Sequence, residues 1–322
     1  MIINFGIVKI IAQKQNSKMG FFDKSKKSKN KKSDQLSTAS SKTTTSRRSK
    51  TSIISGLFGS SSTPAEKLHK HTISGDLKKF MMAVEAIKNG GDPSAINTVN
   101  KNQQTVLHVA CQEGRVEIVK ILIHQTKIKL NLLDSKQKTA LMLAVENQSF
   151  QIVEELVKKE ADVDLKDYAG NTALHLSCKI ASVGISKILI VQAESNVNMK
   201  NADGQTPLHL AIPSASTVLI NLLLQNKALI NAKDIGGRTP LMIASYIGLY
   251  NIVKHLDAKG AYKYATDING RNAYDHAMIA KFPNIADLLG TGPADASKQT
   301  KQILGRNGVW GVLSSYMIIS YM

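Results

Sequence analysis

Apolar residues between positions 100 and 290 fall in short clusters that recur every 33 or 34 residues. In most periods a first cluster sets leucine and alanine three apart, as in Leu208 and Ala211, and a second sets apolar pairs four apart, as in Ile118, Val119, Leu122 and Ile123. The first spacing predicts a short helix with a narrow small-residue stripe that lets neighbours approach closely. The second predicts a two-turn helix with one buried face. The register is strict: Leu107, Leu141, Leu174, Leu208, Leu241 and Tyr274 share one position, and Leu122, Leu156, Leu189, Leu223, Leu256 and Leu289 another. Neither helix can bury its stripe alone. The pattern therefore predicts an all-α solenoid in which each unit covers its neighbour.

Polar positions keep the same period. Thr105, Thr139, Thr172, Thr206 and Thr239 are spaced by 34, 33, 34 and 33, with Asn272 a further 33 on. Five residues earlier stand Asn100, Asp134, Asp167, Asn201, Asp234 and Asp267, and two earlier stand Gly170, Gly204, Gly237 and Gly270. An Asx side chain can bond the backbone that follows it and glycine accepts positive φ, so each unit opens with a tight turn. The threonine then caps a helix, with Pro207 and Pro240 preset in its first turn. A 33-residue turn, helix, helix unit containing Thr-Pro-Leu-His-Leu-Ala at Thr206 to Ala211 resembles the ankyrin repeat.

The resemblance covers about residues 100–290 and implies an ankyrin-repeat solenoid over 65–290. Its expected units are a capping unit 65–99, repeats 100–133, 134–166, 167–200, 201–233 and 234–266, and a C-terminal cap 267–290. Ser74-Gly75-Asp76 and Gly91-Asp92-Pro93 echo the loops in the first unit, while Asn272, Tyr274 and Asp275 replace the usual residues in the last. Two departures carry expectations. Pro213 should end the first helix of its unit early, since proline lacks an N–H and clashes with the preceding turn. The glycine between helices stands only at Gly114 and Gly248, with Gln148, Ala181, Ala215 and Lys281 in its place elsewhere, so those units should be less stable.

Composition adds a second region. The chain has 322 residues and a formal charge of +18, and residues 1–60 hold 13 Lys/Arg against 2 Asp/Glu, which places +11 there. Residues 1–64 read as a disordered, basic Lys/Ser/Thr-rich tail, too poor in apolar residues to offset its ordering entropy. Lys24, Lys26, Lys27, Lys29, Lys31 and Lys32 form an anion-binding run, suited to an anionic membrane surface or, without sequence preference, to nucleic acid. Met19-Gly20-Phe21-Phe22-Asp23 resembles an N-myristoylation start, although Lys24 stands where Ser or Thr is wanted. Residues 1–13 lack a cleavage site for a signal peptide, and 307–322 are shorter than the roughly 20 residues of a membrane span. Residues 291–322 read as an unstructured tail.

No catalytic, cofactor or metal site is expected. His108, His175 and His209 share one repeat position, 67 and 34 residues apart, where the family's histidine braces the turn. Cys111 and Cys178 also share a position and read as core, which suits a reducing setting, cytoplasmic with the nucleus or a membrane periphery as alternatives. No phosphate loop, nucleophile elbow or His-Glu-x-x-His phrase occurs. The resemblance implies a monomeric, non-catalytic adaptor or scaffold that binds a protein on the concave face. Partner-binding positions there are Lys101, Lys136, Lys138, Tyr168, Asn171, Arg238 and Arg271 on the turns and Lys179 and Tyr246 on the helix edges. Their cations and aromatics point to a partner that bears acidic residues. The alternative is a membrane-tethered or nucleic-acid-associated scaffold that uses the tail.

Overall fold

The computed structural model describes residues 63–90 and 93–290. The expectations for the tail lysines, for Gly20, for Gly91-Asp92 and for 291–322 lie outside the described residues. The described chain is a row of helix pairs. Pro64–Ser74 pairs with Leu77–Asn89, Val106–Gln112 with Val116–Ile123, Ala140–Glu146 with Phe150–Lys158, and Ala173–Lys179 with Val183–Lys187. Pro207–Ala211 then pairs with Thr217–Gln225, Pro240–Ile247 with Tyr250–Ala258, and Ala273–Ile279 with Pro283–Leu289. Leu107, Leu141, Leu174, Leu208 and Leu241 are buried in one layer, and Leu122, Leu156, Leu189, Leu223 and Leu256 in the next. The shared register thus becomes one continuous core.

The caps form as the sequence predicts. Thr105, Thr139, Thr172, Thr206, Thr239 and Asn272 each stand at a helix N-cap. In the first unit Thr63 accepts from the Glu66 N–H and Glu66 accepts from the Thr63 N–H, which closes a capping box at the start of the stack. Pro213 has the expected effect: the α-helix stops at Ala211 and a single 3-10 turn, Ile212–Ser214, follows. The joints between paired helices all need a left-handed residue. Gly114 and Gly248 supply it at φ 67° and 87°, but Gln148, Ala181, Ala215 and Lys281 adopt φ of 53° to 64°, where a Cβ is strained.

One irregularity had no counterpart in the sequence reading. In the 167–200 unit the second helix runs on as a π-helical stretch, Ile188–Gln192. The cause is an extra residue. The N–H groups of Ala161, Ala228 and Ala261 reach back five residues to Leu156, Leu223 and Leu256, whereas the Ser195 N–H reaches back six, to Leu189. The 34-residue period of this unit is thus absorbed as a wider turn inside the helix.

Two further side-chain rows tie unit to unit. Asn97 accepts from the Lys129 N–H at 2.9 Å, Asn131 from Asp162 at 3.0 Å, Asp164 from Asn196 at 3.3 Å, Asn198 from Leu229 at 2.8 Å and Asn231 from Tyr262 at 2.8 Å. The ammonium groups of Lys166, Lys200 and Lys233 donate to the carbonyls of Lys200, Lys233 and Thr266, each in the following unit. Both rows keep the 33- or 34-residue spacing.

Candidate partner-binding face

The face is built from the turns. In the first four turns the Asx side chain accepts two N–H groups of its own loop: Asn100 from Asn102 and Gln104, Asp134 from Lys136 and Lys138, Asp167 from Ala169 and Asn171, Asn201 from Asp203 and Gln205. Successive turns are then bonded to one another. The N–H groups of Ser135, Tyr168, Ala202, Ile235 and Ile268 donate to the carbonyls of Asn102, Lys136, Ala169, Asp203 and Gly236 in the preceding turn, at 3.0 to 3.2 Å. The result is a strip of turns whose tips hold fixed positions.

Histidine locks the strip from beneath. The Thr105 N–H donates to His108 Nδ1 at 3.2 Å, which leaves the proton on Nε2, and that N–H reaches the Lys138 carbonyl of the next turn at 3.1 Å. His175 repeats this between Thr172 and Gln205, and His209 between Thr206 and Arg238. Burial pushes all three imidazoles below their ordinary 6.5, His175 to about 4, against the pull of the carbonyls they bond. They are neutral braces. In the last unit His276 instead donates to Asp267 at 3.1 Å. Burial there works to raise the Asp267 carboxyl, but the N–H groups of Arg271 and Asn269 together with the Arg271 guanidinium outweigh it and hold the group at about 2.

The residues singled out in the sequence divide into three sets. Lys101, Lys136, Tyr168, Lys179 and Tyr246 are exposed, Tyr168 by 77%, and among the described residues no ion pair engages the three lysines. Lys138, Arg238 and Arg271 are on the face but engaged: Lys138 with Glu146, and the guanidiniums with Asp234 and Asp267 at 2.8 and 2.9 Å. Asn171 is buried, bonded to Asp167 and accepting from Asn201 at 3.0 Å, so its amide serves the stack and presents almost nothing outward. The Lys138–Glu146 and Gln104–Gln112 pairs join turn to helix edge within a unit, which makes the two one surface.

Two tip residues were not anticipated. Ile235 and Ile268 are 69% and 75% exposed at the position that Lys101 and Tyr168 occupy in their own turns. The signal was the register, one residue after the Asx; reading for charged and aromatic groups passed over aliphatic ones. Among the described residues no group of three or more His, Cys, Asp or Glu could hold a metal ion, and no helix is long and apolar enough to cross a membrane. Cys111 and Cys178 are buried free thiols, and burial raises both, Cys178 to about 12.

Comparison with known proteins agrees with this architecture. A family model described as ankyrin repeats (3 copies) matches residues 74–167 and 165–234, and the single ankyrin-repeat model matches 236–273. An ankyrin repeat-containing protein of Schizosaccharomyces pombe is 31% identical over 112 residues, 34% of this chain and 47% of that one. The human NF-kappa-B inhibitor alpha is 29% identical over 116 residues, 34% of this chain and 36% of that one. A probable 26S proteasome regulatory subunit p28 of Saccharomyces cerevisiae is 31% identical over 86 residues, covering 26% and 38%. The chain spans less than half the length of each of these relatives. Among solved structures, the ankyrin repeat domain of Bcl-3, titled a unique member of the IkappaB protein family, superposes with a TM-score of 0.63 at 26% identity, over 72% of this chain and all of that domain.

Proposed function

Because the chain belongs to the ankyrin-repeat family, we propose that it is a non-catalytic adaptor or scaffold whose protein partner docks on the strip of turns and the adjoining helix edges. The observation that carries this is the strip itself. Its turns are held by backbone bonds from one to the next, so the backbone that carries exposed Lys101, Lys136 and Tyr168 is fixed before any partner arrives, and little loop entropy remains to be lost on binding. Relatives named as an inhibitor of NF-kappa-B and as a proteasome regulatory subunit are named for acting on or within other proteins, which supports the same reading. Free lysines at the tips favour a partner with carboxylates. A cytoplasmic location fits two buried, unpaired thiols. The lysine run from Lys24 to Lys32 supports the alternative of a membrane-tethered scaffold, for which binding to phosphatidylserine vesicles by the full chain is the test.

The decisive test of the main reading is affinity capture from native lysate with the full chain and with a Lys136→Glu, Tyr168→Ala, Tyr246→Ala variant. The reading expects specific proteins that bind the parent and are lost from the variant. Equal recovery by both would reject the face.

A further inference from the structure

The strip is chemically divided along its length. Its first two turns carry Lys101 and, one place beyond the tip residue Ser135, Lys136, and Lys179 follows on the helix edge of the third unit, all exposed and without an ion pair among the described residues. From the third turn onward the tips are Tyr168, Ala202, Ile235 and Ile268, exposed apolar side chains at one repeat position in consecutive turns. Tyr246 and Ile279, 55% and 54% exposed on the helix edges of the last two units, extend that apolar end. Scattered exposed hydrophobics are ordinary, and Phe150, Val191 and Val218 on the second helices fall at three different repeat positions. A row at one position on bonded, fixed turns is a different object, and a contiguous apolar patch of this kind marks an interaction site.

We infer that the partner segment is itself divided, with aliphatic or aromatic side chains along the Tyr168–Ile268 end and carboxylates along the Lys101–Lys136 end. This rests on the protein-binding reading above and adds the chemistry of the partner to it. Charge enforces the sorting. Lys101 and Lys136 offer free ammoniums to acidic residues, whereas at the apolar end Lys166, Lys200 and Lys233 donate theirs to the carbonyls of Lys200, Lys233 and Thr266, and Asp203, an exposed carboxylate on the turn between Tyr168 and Ile235, repels acidic residues. Arg238 and Arg271 do not compete for them, since their guanidiniums are neutralised by Asp234 and Asp267. Size follows from the packing: with neighbouring helices about 10 Å apart, the apolar tips span about 30 Å and the whole strip about 50 Å, which about 15 extended residues cover.

The test is selection of phage-displayed random 16-residue peptides on the full chain, with synthetic copies of the enriched sequences then measured by fluorescence polarisation. The proposal expects peptides with an apolar half and an Asp/Glu half. Ile235→Asp with Ile268→Asp should weaken them at least tenfold, at unchanged far-UV circular dichroism because both side chains face solvent. A second selection on Lys101→Glu, Lys136→Glu should keep the apolar half and exchange the acidic half for a basic one. Enriched peptides that lack the division, a charge-swapped selection with no exchange, or no enrichment at all would overturn the inference. The adaptor reading stands or falls separately: capture that depends on the face, alongside undivided peptides, sinks only the partner chemistry. Peptides indifferent to every substitution on the strip sink both.

Discussion

The first two turns of the strip and the four that follow solve one geometric problem in two ways. Each turn needs a residue in the left-handed region three places after its Asx. Gln103 and Gln137 fill it at φ 56°, whereas Gly170, Gly204, Gly237 and Gly270 adopt 71° to 74°. At 170, 204 and 237 the choice is forced by the next turn: a Cβ would stand 2.5, 2.8 and 2.9 Å from the backbone nitrogen of Ala202, Ile235 and Ile268. At Gly270, where no further turn follows, the added atom meets nothing within 4 Å. The difference shows that glycine in the later turns serves close approach between units, while the early turns accept a side chain by rotating slightly. The same boundary separates the polar tips, Lys101 and Ser135, from the apolar ones, Tyr168, Ala202, Ile235 and Ile268. The close-packed turns are therefore the ones that carry the apolar row.

Several changes would break or sharpen that contrast, and the largest is a change of pH. His175 joins the third turn to the fourth as a neutral imidazole held at about 4, below the 6.5 of the free group. The unfolded chain takes up the proton more readily, so the stabilisation is complete above about 6.5 and is lost as pH falls towards 4. Its size is on the order of 3 kcal/mol. Melting followed from pH 7 to pH 4 should show a steep fall that is smaller in His175→Gln, where His108, His209 and His276 still take up a proton on unfolding.

Gly204→Ala should cost about 2 to 3 kcal/mol in urea denaturation, from left-handed strain together with collision against the next turn. A value near zero would mean that the later turns can rotate as Gln137 does, and the contrast would vanish. Gly270→Ala has the strain without the collision, and about 1 kcal/mol is expected from the same measurement. Smallest, and opposite in sign, Gln137→Gly should raise the midpoint by an amount worth under about 1 kcal/mol, because it relieves a left-handed glutamine.

Much of this architecture was legible in the sequence because the features that repeat are the ones that bond to a neighbour. The leucine registers, the Asx turns, the threonine caps and the bracing histidines each have a partner at fixed spacing, so each recurs every 33 or 34 residues. Pro213 was legible for a local reason, its missing N–H. The π-helical stretch at 188–192 was not, because a 34-residue period says that one residue is extra without saying where. Asn171 was read as a surface residue from its place in a turn, but that place points its amide inward to Asp167 and Asn201. The Asn97 to Asn231 row and the lysine ladder were present in the spacing and went unread, since Asn and Lys pass easily for solvated surface. Ile235 and Ile268 were missed for the reverse reason: an isoleucine in a helical repeat is normally core, and only the fold shows these two outside.

The central claim, that partners meet the turn strip and not the outer helices, is tested most directly by photo-crosslinking in cells that express the full chain. A benzophenone amino acid would replace either Ile235, on the fifth turn, or Val218, which is 62% exposed on a second helix. The account predicts discrete higher-mass adducts from position 235 and none from position 218. Adducts from 218 alone, or equally from both positions, would contradict it.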